Sequence, residues 1–184
     1  MSGGSQEHEP AAISKPALSY TYITMPDPRL EMAREFFEHA YKLQMQGELD
    51  LAVQLYKRSI ELHPTAEAYT FLGWTYHFQG KTDQAIDECK KAIAVDPTFG
   101  NPYNDIGAYL IERGEYDEAI PWLEKAATSL RYEAYHYPWY NLGRVYAHKE
   151  LYSKARQCFE KSLAIEPRYR LAQEALQKLK RLVQ

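Results

Sequence analysis

A short phrase of residues returns four times along this 184-residue chain, and that return restricts the fold more than any single residue does. Three copies are clear: Tyr69-Thr70-Phe71-Leu72-Gly73, Tyr103-Asn104-Asp105-Ile106-Gly107 and Trp139-Tyr140-Asn141-Leu142-Gly143. A fainter first copy reads Phe36-Phe37-Glu38-His39-Ala40. The closing residues Ala40, Gly73, Gly107 and Gly143 are spaced by 33, 34 and 36 residues. A period near ~34 is that of a two-helix unit that cannot bury its apolar face alone and must stack on its neighbours.

Further marks keep the same step. Ala52, Ala85, Ala119 and Ala155 each follow the phrase by twelve residues. Then come Tyr56, Cys89, Leu123 and Phe159, next Ser59, Ala92, Ala126 and Ser162, and finally Pro64, Pro97 and Pro167, with Arg131 in place of the third proline. Within each copy the apolar residues recur at three and four, as on one face of a helix. Gly47, Gly80 and Gly114 stand where the first helix of each pair should end in a left-handed residue. The fourth copy has Glu150 there, so its turn is expected to be wound less tightly. Gly73, Gly107 and Gly143 are expected to let the paired helices approach, with the alanines of the second helix filling the gap. Pro121 is expected early in its helix, where a missing N–H costs little.

This array resembles the tetratricopeptide repeat family, whose succession of aromatic, Leu-Gly, Tyr, Ala, aromatic, Ala and Pro it matches at those positions from about Pro28 to Pro167. The resemblance implies an all-α, right-handed α-solenoid of four helix hairpins, at about 33–65, 66–99, 100–135 and 136–167. Residues 168–184, with Tyr169, Ala172, Leu176, Leu179 and Leu182 on one stripe, are expected to form a capping helix. Five basic residues and one acid lie between Arg168 and Gln184, which reads either as a solvated face or as a docking patch. Residues 1–28 form an arm. Its first part is too polar to offset its ordering entropy, whereas Leu18 to Met25 is apolar, lies between prolines, and suits an extended segment that docks on something.

Composition removes whole classes of function. The 22 basic and 25 acidic residues give no general attraction to nucleic acid or anionic membrane. No apolar run approaches the ~18 residues of a membrane span, and the start lacks a secretory signal, so no membrane insertion and a cytoplasmic address are expected. Cys89 and Cys158 form no CxxC pair and read as buried thiols. The six histidines show no HExxH spacing, and neither a GxSxG nor a GxxxxGK motif occurs. The chain is therefore expected not to be an enzyme and to need no cofactor and no metal. RNA-reading helical repeats require a basic inner face, and Arg144 stands here against Glu38 and Asp105.

In the family the first helices line the concave side. That places Phe37, Tyr41, Phe71, Trp74, His77, Phe78, Asn104, Tyr140, Asn141 and Arg144 on a candidate peptide-binding face. Five of the first six are large rings in a place where a solvated helix carries charge, so Phe37, Tyr41, Phe71, Trp74 and Phe78 call for a covering partner. Asn141, and Asn104 beside it, can donate to and accept from a peptide backbone, and Arg144 can pair with a carboxylate. One subfamily binds acidic chaperone tails through a clamp of Lys, Asn, Asn, Lys and Arg. The corresponding places here hold Phe37, Tyr41, Phe71, Asn101 and Asp105, or, one repeat later, Thr70, Trp74, Asp105, Tyr137 and Asn141, so no such clamp is expected. The function expected is a protein-protein interaction scaffold that binds a peptide segment through apolar or aromatic anchors. The alternative is a structural or self-assembling protein whose groove holds its own or a neighbour's N-terminal arm.

Overall fold

Residues 27–182 are described by a computed structural model, and among them the chain forms nine α-helices and no strand. These are α1 (Pro28–Met45), α2 (Leu49–Leu62), α3 (Ala66–Phe78), α4 (Thr82–Val95), α5 (Asn101–Glu112), α6 (Tyr116–Ala127), α7 (His136–His148), α8 (Tyr152–Ile165) and α9 (Arg170–Leu182). Successive helices pair as hairpins, each packs on the next, and α9 packs on α8, so the molecule is an all-α solenoid. The arm at 1–28 lies outside the described residues except for its last two, as do the final two residues of the segment at 168–184.

Local chemistry sets the helix ends. Asp27 caps α1 by accepting from the Arg29 N–H at 2.9 Å, and Pro28 supplies the preset φ of a first turn. Thr65 caps α3 by accepting from the Ala68 N–H at 3.1 Å. At the far end of each first helix the chain closes through a left-handed residue, with φ of 83° at Gly47, 75° at Gly80 and 77° at Gly114. Glu150 does the same at φ 59°, and the Leu151 N–H reaches the Tyr146 carbonyl at 2.9 Å, the distance found at the three glycine turns. The expectation of a looser fourth turn is thus corrected. Closing the carbonyls of α7 outweighs the left-handed strain that a side chain carries there. Pro121 is the sixth residue of α6 rather than an early one, so it removes a helix bond to the Asp117 carbonyl.

Inside each hairpin the small residue of the first helix faces a plug from the second. Gly73 lies so near α4 that an added methyl would stand 3.0 Å from the Ala85 carbonyl and 3.3 Å from Cys89 Sγ. At Gly107 and Gly143 a methyl would overlap the Leu123 and Phe159 side chains. What fills the gap is therefore a large side chain in two of three hairpins, not the alanine expected. Tyr56, Cys89, Leu123 and Phe159 are all buried, and burial pushes the Cys89 thiol well up. Ser59 and Ser162 each close their own hairpin, the first and the fourth, donating to the carbonyls of Ala33 at 2.7 Å and His136 at 2.8 Å.

The longer third spacing has a physical use. The connector at 128–135 is eight residues long, against three to five at the other hairpin junctions. It folds back onto the previous junction, where the Gly100 N–H donates to the Arg131 carbonyl and the Arg131 N–H to that of Thr98, both at 3.0 Å. The Arg131 guanidinium pairs with Glu67 and Asp96 and lies 4.2 Å from the Phe99 ring centroid. In place of a proline stop the chain has a cationic staple.

One urea-unfolding series checks both packing arguments. Gly107→Ala is expected to lower stability by ~1 to 3 kcal/mol, because Leu123 has no free volume to move into. Glu150→Gly is expected to raise it by ~1 kcal/mol through relief of the left-handed strain. Equal midpoints for wild type and both variants would overturn them.

Candidate protein-interaction surface

The first helices α1, α3, α5 and α7 are joined on one side by a repeating clasp. At each of Ala40, Gly73 and Gly107 the residue three before, the residue one after, or both reach toward the residue two before the next of these marks. At the first step Phe37 and Tyr41 hold Phe71 edge-on, with centroids 5.3 and 5.6 Å from it. At the second, the Trp74 indole lies beside the Asp105 carboxyl. At the third, Asn141 donates through Nδ2 to Asn104 Oδ1 at 3.0 Å. Beyond α7 the cap α9 takes the place of the next first helix, and Tyr140 meets Tyr169 beside it at 5.2 Å.

The sequence-derived site residues thus fall into groups. Phe37, Tyr41, Phe71 and Trp74 form one aromatic cluster, with Phe71 as hub. Phe37 and Phe71 are half-buried and pack on the core, Phe37 against Tyr56 at 5.5 Å. That corrects the expectation that all five rings wait for a covering partner: two are already covered, while Tyr41, Trp74 and Phe78 are 42%, 36% and 58% exposed. Asn104, Asn141 and Arg144 form a second group. Both asparagines are buried and hydrogen-bonded to each other, and Arg144 donates to Asn141 Oδ1 at 3.1 Å. His77 stacks on Tyr109 at 4.4 Å with its Nε2 3.5 Å from Glu112, and Phe78 lies beside it. Tyr140 stands apart, packed against Tyr169 and Phe159.

Between the aromatic and amide groups lies a polar centre that residue patterns did not single out. Asp105 is buried, Asn104 Nδ2 stands 3.5 Å from its Oδ1, and its Oδ2 has no partner among the described residues. Burial pushes its carboxyl up to about 7, against the opposing pull of the Asn104 amide and the Trp74 indole. Tyr109 Oη and His77 Nδ1 are buried and unpartnered as well. Burial, together with the charges of Asp105, Cys89 and Glu112, holds the Tyr109 hydroxyl protonated far above its usual range. The one sequence signal for this centre was an acid where the neighbouring copies carry Phe71 and Asn141.

The tetratricopeptide repeat model matches residues 66–99 and a second, longer model of the same repeat matches 99–168, together more than half of the chain. The small glutamine-rich tetratricopeptide repeat-containing protein 2 of Mycosarcoma maydis is 32% identical over 101 residues, 54% of this chain and 28% of that protein. The type IV pilus assembly protein PilF of Pseudomonas aeruginosa is 27% identical over 121 residues, 65% of this chain and 48% of that protein. This chain thus spans less than half the length of either relative. The solved PilF structure superposes with a TM-score of 0.78 at 23% identity, over 83% of this chain and 69% of that one. The first tetratricopeptide domain of Spaghetti (RPAP3), bound to the HSP90 peptide SRMEEVD, gives 0.60 at 22%, over 65% of this chain and 93% of that one. At those identities both structures speak for the fold alone.

The raised Asp105 carboxyl sets a pH window. In the folded state it holds its proton up to about 7, in the unfolded state only to the ordinary aspartate value of 3.8, so stability falls as pH rises between them. Asp105→Asn is expected to be more stable than wild type at pH 8 and to lose that advantage below pH ~4. Thermal melts of both proteins across pH test this, and a pH-independent difference would contradict it.

Proposed function

Because the chain belongs to the tetratricopeptide repeat family, we propose that it is a non-catalytic scaffold whose first-helix face binds a peptide segment through apolar or aromatic anchors. The observation that carries this is the exposure of Tyr41, Trp74 and Phe78 along one side of α1 and α3, on a floor already dried by Phe37 and Phe71. Aromatic side chains bury ~150–250 Å² each and dominate interface energies, so three beside one another form an anchor site rather than a solvated helix face. The amide pair Asn104–Asn141 supplies the polar half of the same face, and each oxygen keeps a second lone pair for a peptide N–H.

The HSP90 peptide in the Spaghetti complex is acidic, but binding of such a tail does not transfer to this chain. The places of a two-carboxylate clamp hold Phe37, Tyr41, Phe71 and Asp105, which offer it rings and an acid instead of lysines. A second reading has support on the first hairpin itself. Leu30, about half exposed at the start of α1, lines a cavity of 450 Å³ with Ala33, Phe37 and Ser59 among others. This favours the chain's own N-terminal arm, or a neighbour's, as a cover for the first hairpin.

Selection from a random twelve-residue phage library tests the first reading. Enriched peptides are expected to carry two or more aromatic or large aliphatic residues and to bind Trp74→Ala at least ~10-fold more weakly, a loss of ~1.4 kcal/mol. Light scattering on dilution should show a monomer. Enrichment of acidic peptides indifferent to Trp74→Ala would sink the anchor, and a concentration-dependent oligomer would favour the second reading.

A further inference from the structure

The clasp between first helices has an open last step. Arg144, which occupies the same place in its copy as Tyr41 and Trp74, faces the cap α9 where those residues face the next first helix. It lines a pocket that α7 and α8 form with the cap α9. Phe159, Ala147, Tyr152, Ala175, Leu179 and Leu182 make the apolar part, while Arg144, His148 and Lys178 bring three basic side chains and no acid lines it. Among the described residues neither Arg144 nor Lys178 is paired with a carboxylate, whereas Arg170 on the same cap meets Glu174 at 3.1 Å. The volume is about 260 Å³, below the ~300–1,000 Å³ of small-molecule sites but ample for one large apolar side chain.

The other end of the face has the opposite character. Asp105 is buried next to Trp74, and Glu112 faces His77, so a carboxylate on a bound chain meets acid side chains there rather than unpaired bases. We propose that the pocket between α7, α8 and α9 receives an apolar side chain flanked by carboxylates, so that a bound polypeptide runs with its aromatic anchors over α1 and α3 and its acidic-apolar end against Lys178 and Arg144. This rests on the peptide-binding reading above and adds a charge requirement and a direction to it. It differs from a two-carboxylate clamp in that the apolar side chain enters a cavity and the charge only borders it. Apolar burial supplies the affinity, and the bases select which residues flank it.

The test uses a fluorescein-labelled twelve-residue peptide with two tryptophans in its first half and Leu-Glu-Leu-Glu in its second. A twin carries Leu-Gln-Leu-Gln, and a third carries Leu-Lys-Leu-Lys. Fluorescence anisotropy at ~50 and ~300 mM salt, where exposed charge pairs are progressively screened, is read on the full chain, on Lys178→Glu, on Arg144→Gln and on Trp74→Ala. Circular dichroism checks each fold. The acidic peptide is expected to bind wild type about tenfold tighter than its Gln twin at low salt. Lys178→Glu should erase that preference and strengthen the Lys peptide, and Arg144→Gln should reduce it. Trp74→Ala should weaken the acidic and Gln peptides equally. Equal binding of the acidic and Gln peptides to wild type overturns the charge requirement, even where Trp74→Ala still matters and the anchor reading stands. An acid preference that ignores Trp74→Ala keeps this pocket and removes the anchor. No binding of the acidic peptide up to ~1 mM, about −4 kcal/mol, overturns the proposal outright.

Discussion

The close contact within each hairpin, a small residue of the first helix against a plug from the second, is the constraint on which the rest depends. Gly107 and Gly143 lie where Leu123 and Phe159 leave no space for a methyl, and Gly73 where the Ala85 carbonyl and Cys89 leave little. That contact fixes the separation and the rotation of the two helices together, since a helix turned by even one residue would present a side chain to its partner. With each hairpin rigid, the faces it offers to its neighbours are rigid too. The same four plugs help hold together the hairpins of the described residues: each unit contributes one fully buried large side chain or thiol, and stacking closes the remainder.

A second layer of specificity lies between hairpins, and its chemistry changes along the array. The first step of the clasp is aromatic on aromatic, the second sets an indole against a carboxyl, the third pairs two amides, and the last gives way to the cap. An edge-on ring contact and an amide pair both join neighbouring first helices but leave different surfaces behind. Rings leave apolar edges, and amides leave lone pairs. The polar middle has a cost, because Asp105 Oδ2, Tyr109 Oη and His77 Nδ1 are buried without partners. A fold selected for stability alone would put apolar side chains at these places, as the first step does with Phe71.

Much of this could be read from residue spacing, and the limits of the reading have physical causes. Ala40, Gly73, Gly107 and Gly143 gave the period because close approach tolerates only small residues, so the requirement is written directly in residue type. Glu150 escaped the rule because a turn can be closed by any residue if the hydrogen bonds recovered outweigh left-handed strain, which spacing does not reveal. Phe37 and Phe71 were grouped with Tyr41, Trp74 and Phe78 because a helical wheel assigns a face, not a depth. Whether a ring lies down against the next hairpin or stands clear depends on the size of the residue it meets across the gap. Asp105 was legible only as an acid on the inner face. In the fold the Trp74 indole lies beside it, a contact across helices that no sequence period encodes. The eight-residue connector gave a spacing of 36 but not its purpose, since Arg131 finds Glu67 at a distance of 64 residues along the chain.

Under the proposed peptide-binding reading, these layers together give the face a direction. Recognition of an extended chain by a repeat array has an inherent ambiguity, because similar units offer similar subsites and a ligand can slip by one unit or lie reversed. Apolar anchors do not resolve this, since one ring accepts another in many orientations. Unlike ends do. With exposed rings over α1 and α3, unpaired acceptors over α5, and bases around an apolar pocket between α7 and α9, a shifted or inverted ligand would set carboxylates beside Asp105 and Glu112. Departures from strict repetition, which weaken the first and third copies as members of a pattern, are what would let a repeating scaffold hold one ligand in one register.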